Sequence, residues 1–150
     1  MPVEDNGKFG LVVIKRNIEP AFGTWAFPGG YIGKRETAEY AALREFQEET
    51  GLLYPLASDE PAGYLDKALI EDRSLYMEPI RTAVSDSGCL IVFLRSQFWI
   101  DIERLNDFVP NDECSEIKAI WEPEDLGFSY HTRLAAWFFD AWDGIKHDYV

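Results

Sequence analysis

Between Gly30 and Leu52 the chain spaces its carboxylates in a way that leaves few architectures open. Pro28-Gly29-Gly30 is a turn signal in which glycine backbones permit close approaches denied to other residues. A helix is expected from about Thr37 to Thr50, because Thr37 is an N-cap residue, Glu39 suits a first turn and Gly51 supplies a stop. At ~100° per residue, Glu45, Glu48 and Glu49 fall within an arc of about 100°, so three carboxylates share one helix face. Ala38, Ala41 and Ala42 lie on that face too, and their small side chains let a turn and a ligand come close. Like charges so placed repel by roughly a few tenths of a kcal/mol per pair. A hard cation resolves the conflict: Mg²⁺ or Mn²⁺ takes oxygen ligands, keeps several waters and bridges to phosphates. Zinc fits less well, since neither His nor Cys joins the cluster. Taken alone, three such acids are also compatible with a solvated helix face laced with salt bridges.

The whole segment decides between these. It runs Gly30, five residues, Glu36, seven residues, Arg44-Glu45, Phe46, Gln47, Glu48-Glu49, Thr50, Gly51 and Leu52. At ~6% usage per residue type, seven fixed letters coincide by chance in roughly one window in 10⁸ to 10⁹. The pattern resembles the Nudix box, with one departure: Phe46 stands where that family usually has Ile, Leu or Val, which alters packing under the helix and no ligand.

The resemblance implies an α/β chain, a Nudix-type α/β/α sandwich around a mixed sheet, with residues 1–150 forming a single Nudix hydrolase domain. It implies Glu45, Glu48 and Glu49 as side-chain metal ligands, assisted by the backbone carbonyl of Gly30 or its neighbour, with Mg²⁺ or Mn²⁺ as cofactor. Arg44 would orient Glu45, and Glu36 would be structural or a more distant partner of the metal shell. The implied reaction is attack of an activated water on a diphosphate, for which Glu48 is indispensable. The general base lies either inside the box, where Glu49 is the candidate, or on a later loop. Of the loop acids Asp112, Glu113 and Glu116, we favour Glu116 as the outside candidate; an ordinary exposed carboxylate is the alternative.

The rest of the chain is consistent with one compact domain of 150 residues, 47% hydrophobic and 15% aromatic, enough to fill a core of that size. A net charge of -13 and the lack of Lys/Arg clusters argue against a nucleic-acid polymer as partner. No signal-like or membrane-spanning stretch is visible, so the expectation is a cytoplasmic protein without membrane contact. Cys89 and Cys114 read as reduced thiols. Strands are expected at Phe9–Ile14, Trp25–Phe27, Gly88–Ile100 and Ile117–Trp121, with extended segments at Leu52–Leu56 and Ala62–Ile70. Glu122–Leu126 suggests a short helical turn, and Thr132–Trp142 a helix whose aromatic stripe faces the core.

Substrate choice lies outside the box. The stretch Trp25–Tyr31 resembles the lead-in of Nudix enzymes that cleave ADP-ribose. Asp72-Arg73-Ser74, Arg81-Thr82 and Gly127-Phe128-Ser129-Tyr130-His131 resemble elements of the bifunctional NMN adenylyltransferase/ADP-ribose pyrophosphatase branch, although no adenylyltransferase domain is present. Arg73 and Arg81 are therefore candidate phosphate ligands, or else solubilising surface arginines. Trp25 and Phe128, with Phe9 and Tyr31, are candidate stacking surfaces for a base, or else core. His131 is expected to cap or pack near the last helix.

The expected activity is thus metal-dependent hydrolysis of a small nucleoside diphosphate derivative, foremost ADP-ribose to AMP and ribose 5-phosphate. Cleavage of nucleoside triphosphates or dinucleoside polyphosphates is the alternative. A non-catalytic ADP-ribose-sensing module is the reading of another class, against which the intact Glu45, Glu48 and Glu49 set argues. Relatives of this kind often dimerise, so a homodimer is the expected assembly if there is one.

Overall fold

A computed structural model describes residues 1–53 and 67–145. The chain opens with a hairpin: β1 (Pro2–Asp5) turns through Asn6 and Gly7 into β2 (Lys8–Arg16), the strand on which the fold is built. Asn6 and Gly7 both have positive φ, 49° and 80°, the geometry for which Asn-Gly is the favoured pair in a two-residue turn. The strand expected over Phe9–Ile14 runs from Lys8 to Arg16, and the Asn-Gly pair before it is the local signal for its unexpected hairpin partner β1.

Along one edge β2 carries β1 at its start and the two-residue β3 (Trp25–Ala26) at its end, both antiparallel; along the other it carries β7 (Cys114–Ile120). A short β6 (Ile100–Asp101) runs parallel to β1, which makes the five-stranded sheet mixed. Successive residues of β2 point to opposite faces. Val12 joins Val3, Leu43, Phe46, Leu52, Leu53, Ile70 and Ile100 in one buried cluster, under helix α1 (Ala38–Thr50). Leu11 and Val13 join Ile120, Ala135 and Phe138 in the other, under helix α3 (Ser129–Ile145). Helices therefore cover both faces of a mixed sheet, as expected. Phe46, the departure from the box pattern, is 4% exposed, and burying its ring contributes about 2–3 kcal/mol.

Other expectations are corrected. Gly88–Ile100 is not one strand. It supplies β5 (Leu90–Ser96), which pairs with β4 (Met77–Val84) in a separate two-stranded ribbon, and then β6. The break falls just after the Gln97 amide makes the ribbon's last bond, to the Tyr76 carbonyl, where the Ser96 hydroxyl turns onto the Phe98 carbonyl. Of the segment read as extended over 62–70, the part from Lys67 belongs to helix α2 (Lys67–Ser74), where helix-forming Lys, Ala, Leu, Glu and Arg outnumber the single β-branched Ile70. Residues 54–66 lie outside the described part, and Leu52 and Leu53 belong to no regular element. Glu122–Leu126 is not helical; it approaches α3 as irregular chain, with the Leu126 amide donating to the Thr132 hydroxyl. A 3-10 helix (Ile102–Asp107) follows β6, capped by the Asp101 carboxylate. Among the described residues no helix is long and apolar enough to cross a membrane.

Candidate active site

Helix α1 begins and ends where its sequence says. The Thr37 hydroxyl accepts from the Tyr40 amide, and Gly51 closes the last turn at φ 67°, its amide donating to the Gln47 carbonyl. This fixes the rotation of the helix, and with it the direction of Glu45, Glu48 and Glu49.

Arg44 organises the carboxylates. Its Nε and Nη2 donate to Glu36 at 2.7 and 3.0 Å, Nη1 donates to Glu45 Oε1 at 2.8 Å and to Glu48 Oε2 at 3.1 Å, and Nη2 also reaches the Tyr31 carbonyl at 3.0 Å. Such a planar fork can hold several oxygens in fixed directions, which a lysine ammonium cannot. Arg44's hydrogen bonds, with that from the Gly33 amide, hold the Glu36 carboxyl below the usual range. Glu36 in turn keeps the guanidinium firmly charged. Glu36 is thus a structural partner of Arg44.

The Pro28-Gly29-Gly30 turn folds over the same helix face. The Gly29 amide donates to Glu49 Oε2 at 2.9 Å. A Cβ on Gly30 would stand 2.6 Å from Glu45 Oε1 and 2.5 Å from Oε2, so any larger residue here would displace the Glu45 carboxylate. Glu49 is 4% exposed, and burial pushes its carboxyl up to about 8. Glu45 is raised as well, first by burial; the charge of Glu113 opposes ionisation of both.

These carboxylates fit a divalent cation. The bonds just described use one oxygen of each, leaving Glu45 Oε2 against the bare Gly30, and Glu48 Oε1 and Glu49 Oε1 outside those bonds. Among the described residues no three ligating groups yet converge on one point. Arg44 and the Gly29 amide hold the acids in their present directions, and a bound cation would draw the remaining oxygens together.

The other candidate residues are dispersed. Glu116 pairs with Lys15 at 2.8 Å across the β2–β7 register, on the sheet face that carries Leu11 and Val13, opposite α1. Glu113, just before β7, is the loop acid whose charge reaches Glu45 and Glu49; the Asn17 amide donates to its carbonyl. Nearby, the Asn111 side-chain amide donates to the carbonyl of Glu49. Trp25, on β3, lies under the ammonium groups of Lys118 and Lys15, at 4.7 and 5.9 Å. Phe128 stacks on Tyr130, with the Arg16 guanidinium 5.4 Å from its ring. Arg73, on α2, lies over Phe98, and Arg81, on β4, over Trp137. The structure therefore gathers Gly30, Glu36, Arg44, Glu45, Glu48 and Glu49, and leaves Arg73 and Arg81 packed on aromatic rings. Of the loop acids named from the sequence, Glu113 rather than the favoured Glu116 has its charge near Glu45 and Glu49. His131, expected to pack near the last helix, does so in the first turn of α3, where its Nδ1 also accepts from the Phe27 amide at 3.0 Å, a contact that spacing did not reveal.

Comparison with known proteins places the chain among similar sequences and folds. The chain is 46% identical over 43 residues to an ADP-ribose pyrophosphatase of Methanocaldococcus jannaschii, an alignment covering 29% of this chain and 25% of that protein. It is 38% identical over 60 residues to an ADP-sugar pyrophosphatase of Mus musculus, covering 39% and 28% respectively. The chain thus spans only about a quarter of the length of these relatives. Among solved structures, the fold matches the NUDIX domain of Shewanella oneidensis NrtR complexed with ADP ribose, with a TM-score of 0.58 at 18% identity, covering 94% of this chain and 82% of that one. It also matches a bifunctional NMN adenylyltransferase/ADP ribose pyrophosphatase of Francisella tularensis complexed with AMP and a manganese ion, with a TM-score of 0.61 at 15% identity, covering 93% and 39%. The NUDIX domain family model matches residues 1–141, which take in the glycine turn and the whole of α1, and the chain belongs to that family.

Proposed function

We propose that this chain is a metal-dependent pyrophosphohydrolase, a single domain over 1–150 that hydrolyses ADP-ribose to AMP and ribose 5-phosphate. The observation that carries this reading is the pair of Arg44-held carboxylates, Glu45 against the bare Gly30 and Glu48 beside it on Arg44, on the same helix face as the buried Glu49. Glu45, Glu48, Glu49 and the Gly30 carbonyl would hold Mg²⁺ or Mn²⁺. A divalent cation there supplies neutralisation of the diphosphate and acidifies water. Arg44 keeps Glu45 and Glu48 directed at that point, and the turn over α1 limits access of bulk water to Glu49. Glu49 is engaged by the Gly29 amide and would be a ligand, so Glu113 is the group proposed to take the proton from the attacking water. The water oxygen bonds to one phosphorus as the bridging P–O bond breaks, and the pair of electrons leaves with the other phosphate.

The choice of ADP-ribose is supported by the similarity to the two pyrophosphatases. Trp25 and Phe128 are the rings proposed to stack on the base, which would take the place of the Lys118 and Lys15 ammonium groups over Trp25 or of Tyr130 on Phe128. We place the activity in the cytoplasm, without nucleic acid or membrane as partner, the chain's charge of -13 being unsuited to a polyanion; a homodimer is the assembly proposed.

The test is turnover of ADP-ribose, NADH, diadenosine polyphosphates and dNTPs with Mg²⁺ or Mn²⁺, identifying both products. AMP and ribose 5-phosphate are expected from ADP-ribose. Faster release of pyrophosphate from dNTPs would reassign the substrate, and tight binding of ADP-ribose without turnover would make the protein a sensing module. Glu48→Gln is expected to abolish turnover with an unchanged fold, and full activity would remove the metal-site assignment.

A further inference from the structure

We propose that His131 is a positioning residue for the glycine turn, holding through the Phe27 amide the stretch of chain that presents Gly29 and Gly30 to the carboxylates of α1. The inference rests on the pyrophosphohydrolase reading above.

β3 is only two residues long, registered on β2 by Ile14↔Ala26 and Lys15↔Trp25. On its outer edge the Trp25 carbonyl accepts from the Gly127 amide at 2.8 Å. Two residues on, at the next position along that edge, no strand continues, and the Phe27 amide donates instead to Nδ1 of His131 at 3.0 Å. A side-chain nitrogen thus stands where a neighbouring strand would place a carbonyl. For Nδ1 to accept, the ring must be neutral with its proton on Nε2.

The ring is held from both ends. Its backbone lies in the first turn of α3, where the amides of His131 and Thr132 both donate to the Phe128 carbonyl. Its sides are packed by Phe27, Phe93, Phe128 and Tyr130, with centroids 5.3, 5.6, 5.1 and 5.0 Å away. Between this anchor and the Gly29 amide that holds Glu49 lies Pro28, whose φ is fixed by its ring. Little freedom then separates the His131 bond from the Glu49 bond, and Gly30 follows directly against Glu45. His131 therefore couples α3, on one face of the sheet, to carboxylates on a helix packed against the other.

The experiment compares wild type, His131→Leu and His131→Asn. Leu fills the aromatic cage without an acceptor, whereas Asn can place Oδ1 near the site of Nδ1. For each, kcat and KM for ADP-ribose, the Mn²⁺ dissociation constant without substrate by electron paramagnetic resonance, and Tm are measured. Expected for Leu is a kcat lower by about 10- to 100-fold, the scale of an ångström's misplacement, with weaker Mn²⁺ binding and little change in KM. Asn is expected to restore most of both. The proposal is overturned if Leu keeps wild-type kcat and Mn²⁺ affinity, or if Leu and Asn lose both equally. Should Leu not fold, His131→Met replaces it under the same criteria. Wild-type protein that binds Mn²⁺ but cleaves no diphosphate would overturn the activity and not the positioning role, which the Mn²⁺ comparison still decides; wild type that binds no Mn²⁺ overturns both.

Discussion

Substituting Gly30 by alanine separates the needs of the fold from those of the site. The added Cβ would stand 2.5 and 2.6 Å from the Glu45 carboxylate oxygens, where an ordinary carbon–oxygen contact is about 3.3 Å or more. Relief requires a displacement of roughly 0.7–1 Å. The atoms struck are the end of a side chain, so Glu45 can yield, at the expense of its 2.8 Å link to Arg44. That loss is worth about 1 kcal/mol, a fall in Tm of about 2–4 °C for a domain of this size. An ångström's misplacement of a group at the reacting centre costs on the order of 100-fold in rate. Gly30→Ala should therefore lose about 100-fold in kcat while folding almost normally. Gly7→Ala is the control: at φ 80° with nothing within 4 Å, it should lose about 1–2 kcal/mol to backbone strain and keep its activity. Steady-state kinetics with a Mn²⁺ titration, alongside thermal melts of both variants, decide the matter. Wild-type kcat and Mn²⁺ requirement in Gly30→Ala would refute the reasoning, as would a collapse in Tm large enough to account for the lost rate.

Arg44→Lys cannot reproduce a fork that reaches Glu36, Glu45 and Glu48 together, and should cost about 2–3 kcal/mol in urea denaturation together with a raised Mn²⁺ requirement; a variant as stable as wild type would show that Arg44 is not the organising group. Glu113→Gln should lower kcat about 100-fold without weakening Mn²⁺ binding if Glu113 takes the proton, and an unchanged rate would return that role to Glu49. Burial lowers the His131 imidazole to about 4, from an ordinary value near 6.5. The unfolded chain then takes up a proton that the folded one does not, so this contribution to stability is complete above pH 6.5 and is lost as pH falls to about 4. The loss amounts to at most about 3 kcal/mol, and it should disappear from the urea pH profile of His131→Asn; an unchanged profile in that variant would refute the assignment.

What could be read from the sequence follows the range of the forces involved. Helix α1 was legible from Thr37 to Gly51 because its caps, its spacing and its acids are all local, and no distant contact overrides them. The same holds for the Asn-Gly turn into β2, a local signal that was available and went unread. The break after Ser96 is different: the ribbon's last bond joins Gln97 to Tyr76 and the Ser96 hydroxyl then turns onto the Phe98 carbonyl, and no periodicity in an apolar run reveals that. At the site, the placing of Arg44, Glu45, Glu48 and Glu49 together was legible because one stretch of α1 carries them. The surroundings of Glu116 depend on register, which spacing does not give: it lies directly across from Lys15 and is paired there, whereas Glu113, the base proposed here, precedes the strand. His131 sits 104 residues from the amide it receives, with an aromatic cage drawn from three parts of the chain. Sequence spacing reveals ligands that share an element; it does not reveal a residue that holds such ligands from the opposite layer. In this chain, the groups that reach the box from outside it are His131 on α3, through the Phe27 amide, and the loop before β7, through Asn111 on the Glu49 carbonyl.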